Sequence, residues 1–125
     1  MSGTTFRHFI DNRFVQSGSE RQFEKYSPVD GSLVGTVAEG GQEEVNLAVQ
    51  AASGALQGPW GQLTLAQRTE MLHAVAREIE RRFQDFLDAE VHDTGKPRSV
   101  ASHVDIPRGA ANFRVFADEI GRAHV

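Results

Sequence analysis

The 125-residue sequence contains no cysteine, which excludes disulfides, thiolate metal sites and a cysteine nucleophile within it. It also has no run approaching the roughly 20 apolar residues that a membrane-spanning helix needs. Residues 1–8 lack the apolar core of a secretion signal. These absences favour a cytoplasmic protein that does not insert into a membrane.

Clustered positive charge and glycine-rich phosphate motifs are missing as well. The formal net charge is -4, and acidic and basic residues are interleaved, which argues against a nucleic-acid partner. Neither G-x-G-x-x-G nor G-x-x-x-x-G-K-[ST] occurs. Gly40-Gly41 precedes a helical pattern and could bind an anion, but Glu43 and Glu44 would repel one. A simple turn is therefore the favoured interpretation of these glycines.

The first 40 residues have the pattern of two hairpins. His8–Ile10 and Arg13–Val15 flank Asp11-Asn12, two residues that tolerate positive φ, which predicts a two-residue turn. The second predicted pair, residues 23–27 and 33–37, flanks Pro28-Val29-Asp30-Gly31. Proline presets φ and glycine takes the left-handed position in such a turn.

Helical periodicity replaces this pattern after residue 42. Residues 43–56 place five apolar side chains on one face, and Gly58-Pro59 ends that helix, with Trp60 expected to pack in the connection. A longer amphipathic helix is predicted to begin after a Thr64–Gln67 capping box and to end near Gly95. The apolar faces of the two helices comprise Val45, Ala48, Val49, Ala52, Leu56, and Leu72, Val75, Ile79, Phe83, Phe86, Leu87.

A third helical stretch runs from about residue 100 to the end and contains Pro107. Either the helix kinks at this proline, or a new helix begins with Asp105 as its cap and Pro107 in its first turn. The helices and hairpins together carry wide apolar stripes, and the sequence offers no central sheet to cover them. A missing partner layer is the expected explanation.

Two pairs of residues, His92-Asp93 and His103 with Asp105, have donor atoms that metals bind. Neither forms a pattern of three or four convergent ligands, so isolated polar groups are favoured over a zinc or iron site. Asp93 is either a polar residue at a helix end or a carboxylate that helps to bind a cation. Ser99, which lies near His103 and Asp105, does not define a catalytic triad, because triads depend on geometry.

Arg108 lies near an apolar helix face, at helical spacing from Val104 and Ala111. That placement is unusual for arginine unless it is paired. One interpretation is a structural ion pair with Asp105 or with a residue outside this chain. The other is a guanidinium that binds a substrate carboxylate through two parallel hydrogen bonds.

Three stretches together resemble the aldehyde dehydrogenase superfamily. They are Phe9-Ile10-Asp11-Asn12-Arg13-Phe14-Val15, Ser27-Pro28-Val29-Asp30-Gly31 followed by the helix, and Glu90-Val91-His92-Asp93-Thr94-Gly95-Lys96-Pro97. The resemblance implies an α/β fold, in which the chain supplies N-terminal β-hairpins and outer helices of an incomplete, Rossmann-like cofactor-binding domain.

A narrower resemblance, to the 2-hydroxymuconic and 2-aminomuconic semialdehyde dehydrogenases, depends on two further stretches. They are Gly58-Pro59-Trp60-Gly61 and Ser102-His103-Val104-Asp105-Ile106-Pro107-Arg108-Gly109-Ala110-Ala111-Asn112-Phe113. Those enzymes act on small aldehydes in the meta-cleavage breakdown of aromatics. The resemblance implies an NAD(P)-dependent enzyme that is a homo-dimer or homo-tetramer.

The family mechanism uses a cysteine thiolate, a glutamate that activates water, an oxyanion-stabilising asparagine and a dinucleotide site. All of these are expected beyond the end of this chain, so no catalytic or cofactor-binding residue is assigned here. The resemblance carries over two roles. Asp93 matches an acidic residue of a structural monovalent-cation site, together with backbone carbonyls near Lys25 and Tyr26. Arg108 matches a position that lines the substrate tunnel and suits a substrate carboxylate.

The last six residues depart from the family pattern. Residues 120–125, Ile-Gly-Arg-Ala-His-Val, resemble the translation of a sequencing adapter, so residues 1–119 are expected to be the native part. Two other interpretations of the chain stay open. It could be a stand-alone helical interaction module, or it could belong to another branch of the superfamily, such as the betaine-aldehyde or generic aldehyde dehydrogenases.

Overall fold

A computed structural model of the chain describes residues 4–15 and 21–122, with side chains to residue 120. The chain divides into two compact units, Met1–Gln62 and Leu63–Val125. Of the tail expected to be non-native, residues 120–122 continue a helix, and residues 123–125 lie outside the described part. None of the described helices combines the length and the apolar character needed to cross a membrane.

The predicted first hairpin is confirmed. Strands β2 (His8–Ile10) and β3 (Arg13–Val15) pair antiparallel, with Phe9 opposite Phe14. Asp11 and Asn12 have φ values of 53° and 58°, and short polar side chains tolerate this left-handed conformation better than most. The rings of Phe9 and Phe14 meet edge to face, with centroids 5.1 Å apart.

The second predicted pair is also confirmed, within a three-stranded sheet. β4 (Gln22–Tyr26) is antiparallel to β5 (Leu33–Ala38), and the turn between them has Gly31 at φ 72°. β1 (Thr4–Phe6) adds a parallel edge strand to β5, which the sequence did not predict. A β-carbon at Gly35 would lie 2.3 Å from the Thr4 carbonyl oxygen, so glycine is what permits β1 to pair there.

Two helices complete the N-terminal unit. The predicted helix at 43–56 is observed as α1 (Gln42–Ala55), and Gly58 lies in the turn before a short helix, α2 (Pro59–Gln62). Trp60 lies in α2 and is 37% exposed. The apolar face of α1 is uncovered within this unit, since Val45 and Val49 are 55% and 60% exposed.

The C-terminal unit begins with the predicted capping box. The Thr64 hydroxyl accepts a hydrogen bond from the Gln67 amide, and the Gln67 side chain accepts one from the Thr64 amide. Helix α3 (Leu65–Arg81) follows. The C-cap at Gly95 is confirmed by its φ of 68°, which closes α4 (Phe83–Thr94).

The expectation of one continuous helix from Thr64 to Gly95 is wrong, because the helix breaks at Arg82. This residue has φ −99° and ψ 28°, and neither glycine nor proline occupies the break. Arginine has good helix propensity, so tertiary packing has overridden the local preference here. Leu87, in the helix beyond the break, is 2% exposed.

The final helical stretch resolves the two alternatives for Pro107. Helix α5 (Arg98–Val100) leads into a π-helical turn (Ala101–Asp105), and α6 (Ile106–Arg122) follows without interruption. In a regular helix the ring of Pro107 would clash with the carbonyl of residue 103, and the wider π-turn relieves that clash. Pro107 therefore lies in the first turn of α6, but Asp105 is not its cap.

Helices α3 and α6 pack against each other through small side chains. Ala76 of α3 and Ala117 of α6 are completely buried, and Ala110 is 1% exposed. Alanine at such positions lets two helix backbones approach closely. The core of this unit is therefore a helix–helix interface in which added volume is poorly tolerated.

Candidate functional site

The residues before the π-turn are placed by the C-cap of α4. The Gly95 amide donates to the Val91 carbonyl at 3.0 Å, and the Lys96 amide donates to the Thr94 hydroxyl at 3.2 Å. Pro97 cannot continue the helix, so the chain turns there and starts α5. Lys96 is thereby brought near Asp105, the last residue of the π-turn.

Lys96 is shared between two carboxylates. Its Nζ lies 2.7 Å from Asp105 Oδ2 and 3.7 Å from Glu90 Oε1. The hydrogen bond to Asp105 raises the pKa of Lys96 above its usual value, burial opposes this, and the charges of Asp105 and Glu90 add to the rise. The lysine is therefore a firmly protonated cation held chiefly by Asp105.

Arg108 lies in the first turn of α6 and its side chain is exposed. An ion pair with Asp105, one of the alternatives for this arginine, is not observed, and Lys96 contacts that carboxylate instead. Among the described residues, no hydrogen bond or ion pair involves the Arg108 guanidinium. The interpretations that remain are a partner outside this chain and a substrate carboxylate.

Asp93 lies in the last turn of α4 and is exposed. Carbonyl groups make this end of a helix negative, so a carboxylate there favours a nearby cation. In the part of the chain that is described, no three His, Asp or Glu side chains converge as a metal site. Lys25 Nζ donates a hydrogen bond to the Tyr26 carbonyl at 3.2 Å. This carbonyl, one of the expected cation ligands, therefore already binds the ammonium group of Lys25. The cation site stays a prediction.

Ser99, His103 and Asp105 do not come together as a triad. His103 Nδ1 lies 2.7 Å from the Ser99 carbonyl oxygen, an acceptor, so this nitrogen carries a proton and donates to the backbone. The Asp105 carboxylate is directed to Lys96 instead. These polar groups hold the π-turn and its surroundings in place.

The turn at Gly40-Gly41 does not provide an anion site. The Glu44 carboxylate accepts a hydrogen bond from the Gly41 amide at 2.6 Å, and Glu44 is only 6% exposed. A buried carboxylate at the start of α1 would repel the phosphates of a dinucleotide. The residues present at this strand-to-helix turn therefore do not fit such a cofactor.

A cleft of about 510 Å³ lies beside α3 and α6 in the C-terminal unit. Arg114 and Glu80 line it and form a two-pronged ion pair, with N–O distances of 2.7 and 2.6 Å. No local pattern in the sequence marks this pair, because its members are 34 residues apart. The role of Lys96 was also missed. Its position directly after a glycine C-cap, between Glu90 and Asp105 in the sequence, could have indicated an ion pair.

A model of the aldehyde dehydrogenase family matches residues 14–125. The chain is 56% identical to the 2-hydroxymuconic semialdehyde dehydrogenase of Pseudomonas sp. (strain CF600), over 90% of this chain and 23% of the relative. It is 50% identical to a 2-aminomuconic 6-semialdehyde dehydrogenase of Pseudomonas sp., over 96% of this chain and 24% of the relative.

Solved structures agree with the sequence matches. PnpE in complex with nicotinamide adenine dinucleotide superposes with a TM-score of 0.85 at 34% identity, over 90% of this chain and 23% of that one. The NAD+ complex of an aldehyde dehydrogenase from Bacillus cereus gives 0.86 at 32% identity, over 92% and 24%. This chain thus spans about a quarter of the length of these relatives. The predicted α/β fold and superfamily are confirmed: the chain belongs to the aldehyde dehydrogenase family.

Proposed function

We propose that this chain is the N-terminal part of an enzyme that oxidises 2-hydroxymuconic or 2-aminomuconic semialdehyde to the dicarboxylic acid. Relatives with these two activities in their names support the substrate class. NAD is the proposed electron acceptor, in keeping with the NAD complexes among the similar structures. The enzyme is proposed to be a cytoplasmic homo-dimer or homo-tetramer.

The observation that carries the substrate assignment is the state of Arg108. An arginine that is exposed and unpaired among the described residues can offer two parallel hydrogen bonds to a carboxylate. Muconic semialdehydes carry a carboxylate at the end opposite the aldehyde. A guanidinium that binds this group would orient the aldehyde toward catalytic residues outside this chain.

A full-length enzyme tests this assignment. Residues 4–119 would replace the matching segment of the relative from strain CF600, giving a complete enzyme with this chain's N-terminal part. Arg108→Leu should raise KM for the semialdehyde at least about tenfold, since hydrogen bonds to charged groups contribute more than neutral ones. An uncharged aldehyde of equal length is the control, and its KM should stay unchanged. Equal effects on both aldehydes, or none, would contradict the role of Arg108.

The 125-residue chain by itself is proposed to be inactive, because it has no cysteine to attack an aldehyde. Purified chain should give no NADH absorbance with NAD and semialdehyde. The full-length enzyme described above is the positive control. NADH formation by the isolated chain would contradict the proposal.

Asp93 is proposed as one ligand of a structural monovalent cation. Its place in the last turn of α4, where the helix end favours a positive charge, supports this. Replacing potassium chloride with choline chloride should lower the melting temperature of the full-length enzyme slightly. Asp93→Asn should abolish this difference, and an equal difference in both proteins would exclude Asp93 as a ligand.

A further inference from the structure

We propose that Lys96 keeps Arg108 available for a substrate carboxylate by binding the competing carboxylate of Asp105. Lys96 is in this view a positioning residue, because it acts on the substrate only through Asp105 and Arg108. The inference rests on the proposed role of Arg108 and adds a residue that determines how strongly this arginine binds its substrate.

The spacing of Asp105 and Arg108 creates the competition. The two residues are three positions apart on continuous helical chain, at the junction of the π-turn and α6. Side chains at this spacing are neighbours on a helix surface, and an acid and a base placed there attract each other. Without another cation, Asp105 would be the nearest acid along the helix for Arg108 to bind. An arginine paired in this way would bind a substrate carboxylate less strongly.

The observed contacts show how this pairing is avoided. Lys96 Nζ lies 2.7 Å from Asp105 Oδ2, while no described residue accepts a hydrogen bond from Arg108. Glu90 Oε1, 3.7 Å from the same Nζ, is a second and more distant negative charge, so Asp105 is the main partner of Lys96. The side chains of Lys96, Asp105 and Glu90 are 36%, 28% and 32% exposed, so solvent screens their attraction only in part.

The consequence for binding is a change in substrate affinity without a change in chemistry. With Asp105 held by Lys96, a substrate carboxylate binds Arg108 without first displacing an ion pair. If Lys96 is removed, the freed Asp105 carboxylate competes with the substrate for the guanidinium. The effect should therefore appear in KM for a carboxylated substrate and not in kcat.

The test uses the full-length enzyme described above and three variants of it. Lys96→Met should raise KM for the semialdehyde about two- to fivefold, the range expected for one partly exposed ion pair, with kcat unchanged. Asp105→Asn alone should leave KM at or below its starting value. The double variant Lys96→Met with Asp105→Asn should restore KM, because no competing carboxylate is then present. A purely structural role for Lys96 predicts the opposite, a double variant at least as impaired as Lys96→Met.

Two further variants serve as controls. Glu90→Gln removes the other partner of Lys96 without freeing Asp105, so KM should not change. Lys96→Arg keeps a cation beside Asp105 and should retain most of the original affinity. If Lys96→Met proves too unstable to purify, Lys96→Gln takes its place in the same comparison. The uncharged aldehyde should show an unchanged KM in every variant.

The two proposals fail in different ways. If Arg108→Leu leaves KM for the semialdehyde unchanged, the proposed function of Arg108 is wrong. If Arg108→Leu raises KM but Lys96→Met does not, or Asp105→Asn fails to restore the affinity of the double variant, only the inference about Lys96 is overturned.

Discussion

The two units of this chain bury their side chains very differently. Among the described residues of the N-terminal unit, the buried positions are Val34, Gly35, Ala38 and Glu44, and the aromatic rings of the β2–β3 hairpin are more than half exposed. In the C-terminal unit, four alanines and Leu87 are nearly or completely buried between helices. The C-terminal unit therefore has an internal core, whereas the N-terminal unit presents apolar surface of the kind that another layer usually covers.

Polar side-chain contacts also differ between the two units. In the C-terminal unit Arg114 forms an ion pair with Glu80 across α6 and α3, and the His73 ring lies at hydrogen-bond distance, 3.1 Å, from Asp118 across the same pair of helices. In the N-terminal unit Arg21 and Glu39 lie 3.8 Å apart at neighbouring strand ends and are well exposed. Side-chain contacts between two long helices thus stabilise the C-terminal unit, while the N-terminal unit depends on backbone pairing of its strands, including β1 with β5, and on local turns.

The largest expected effect comes from adding volume to the helix interface. Ala76→Leu should lower the free energy of unfolding by about 1–3 kcal/mol, because this alanine is completely buried and has no space for a larger side chain. Ala74→Leu, on the exposed face of the same helix, is the matched control and should have little effect. Urea unfolding followed by circular dichroism measures both. Similar stability of the two variants would mean that the C-terminal unit has no tight core.

A smaller effect is expected at the β2–β3 turn, where the structure is local. Asn12→Ala should cost about 1 kcal/mol of hairpin stability, because alanine tolerates the left-handed φ of 58° poorly. Asn12→Gly should be neutral or stabilising. Amide hydrogen exchange of the hairpin residues reports the difference. Faster exchange in the glycine variant than in the alanine variant would refute this account of the turn.

The Arg114–Glu80 pair should make a pH-dependent contribution to the C-terminal unit. The hydrogen bond from Arg114 lowers the pKa of Glu80 below its usual 4.5. A lowered carboxyl pKa adds stability above pH 4.5, and that stability is lost as the pH falls through the lowered value. Arg114→Met should therefore be slightly less stable than the original chain at pH 7, and the difference should shrink toward pH 3. Thermal melts at several pH values measure it, and a difference independent of pH would exclude the pair as its cause.

The smallest effect is expected on the uncovered face of α1. Val49→Gln should change the unfolding free energy of the isolated chain by less than about 0.5 kcal/mol, because Val49 is 60% exposed. The same substitution in the full-length enzyme tests whether another layer covers this face. There it should be destabilising by more than it is in the isolated chain. Equal effects in both would mean that the apolar face of α1 is never buried.

Much of the fold was predictable because its signals are local. The Asp11-Asn12 turn, the Thr64–Gln67 capping box and the Gly95 C-cap each depend on a few neighbouring residues, and the structure shows all three. The helix break at Arg82 was not predictable, because an arginine within an amphipathic helical pattern gives no local indication that the helix ends there. Strand β1 was missed for a similar reason, as its partner β5 lies about 30 residues away.

The candidate site was predictable only in part. The sequence singled out Arg108 and Asp93, and it left Asp105, a neighbour along the helix, as one alternative partner of Arg108. The structure assigns Asp105 to Lys96, a residue nine positions earlier that the Gly95 turn brings back toward the π-turn. Whether a charged side chain is free or paired depends on which opposite charges the folded chain places within a few ångströms.

By itself, the sequence determined the turns, the caps, the helical periodicity and the family, because each of these is written in residues close together along the chain or in a motif of fixed spacing. Tertiary structure alone decided where the long helix breaks, how the π-turn accommodates Pro107, and which carboxylate each cation binds. Those outcomes depend on the backbone arrangement of the folded chain and on contacts such as Arg114–Glu80, whose partners are 34 residues apart, and helix propensity alone does not determine them.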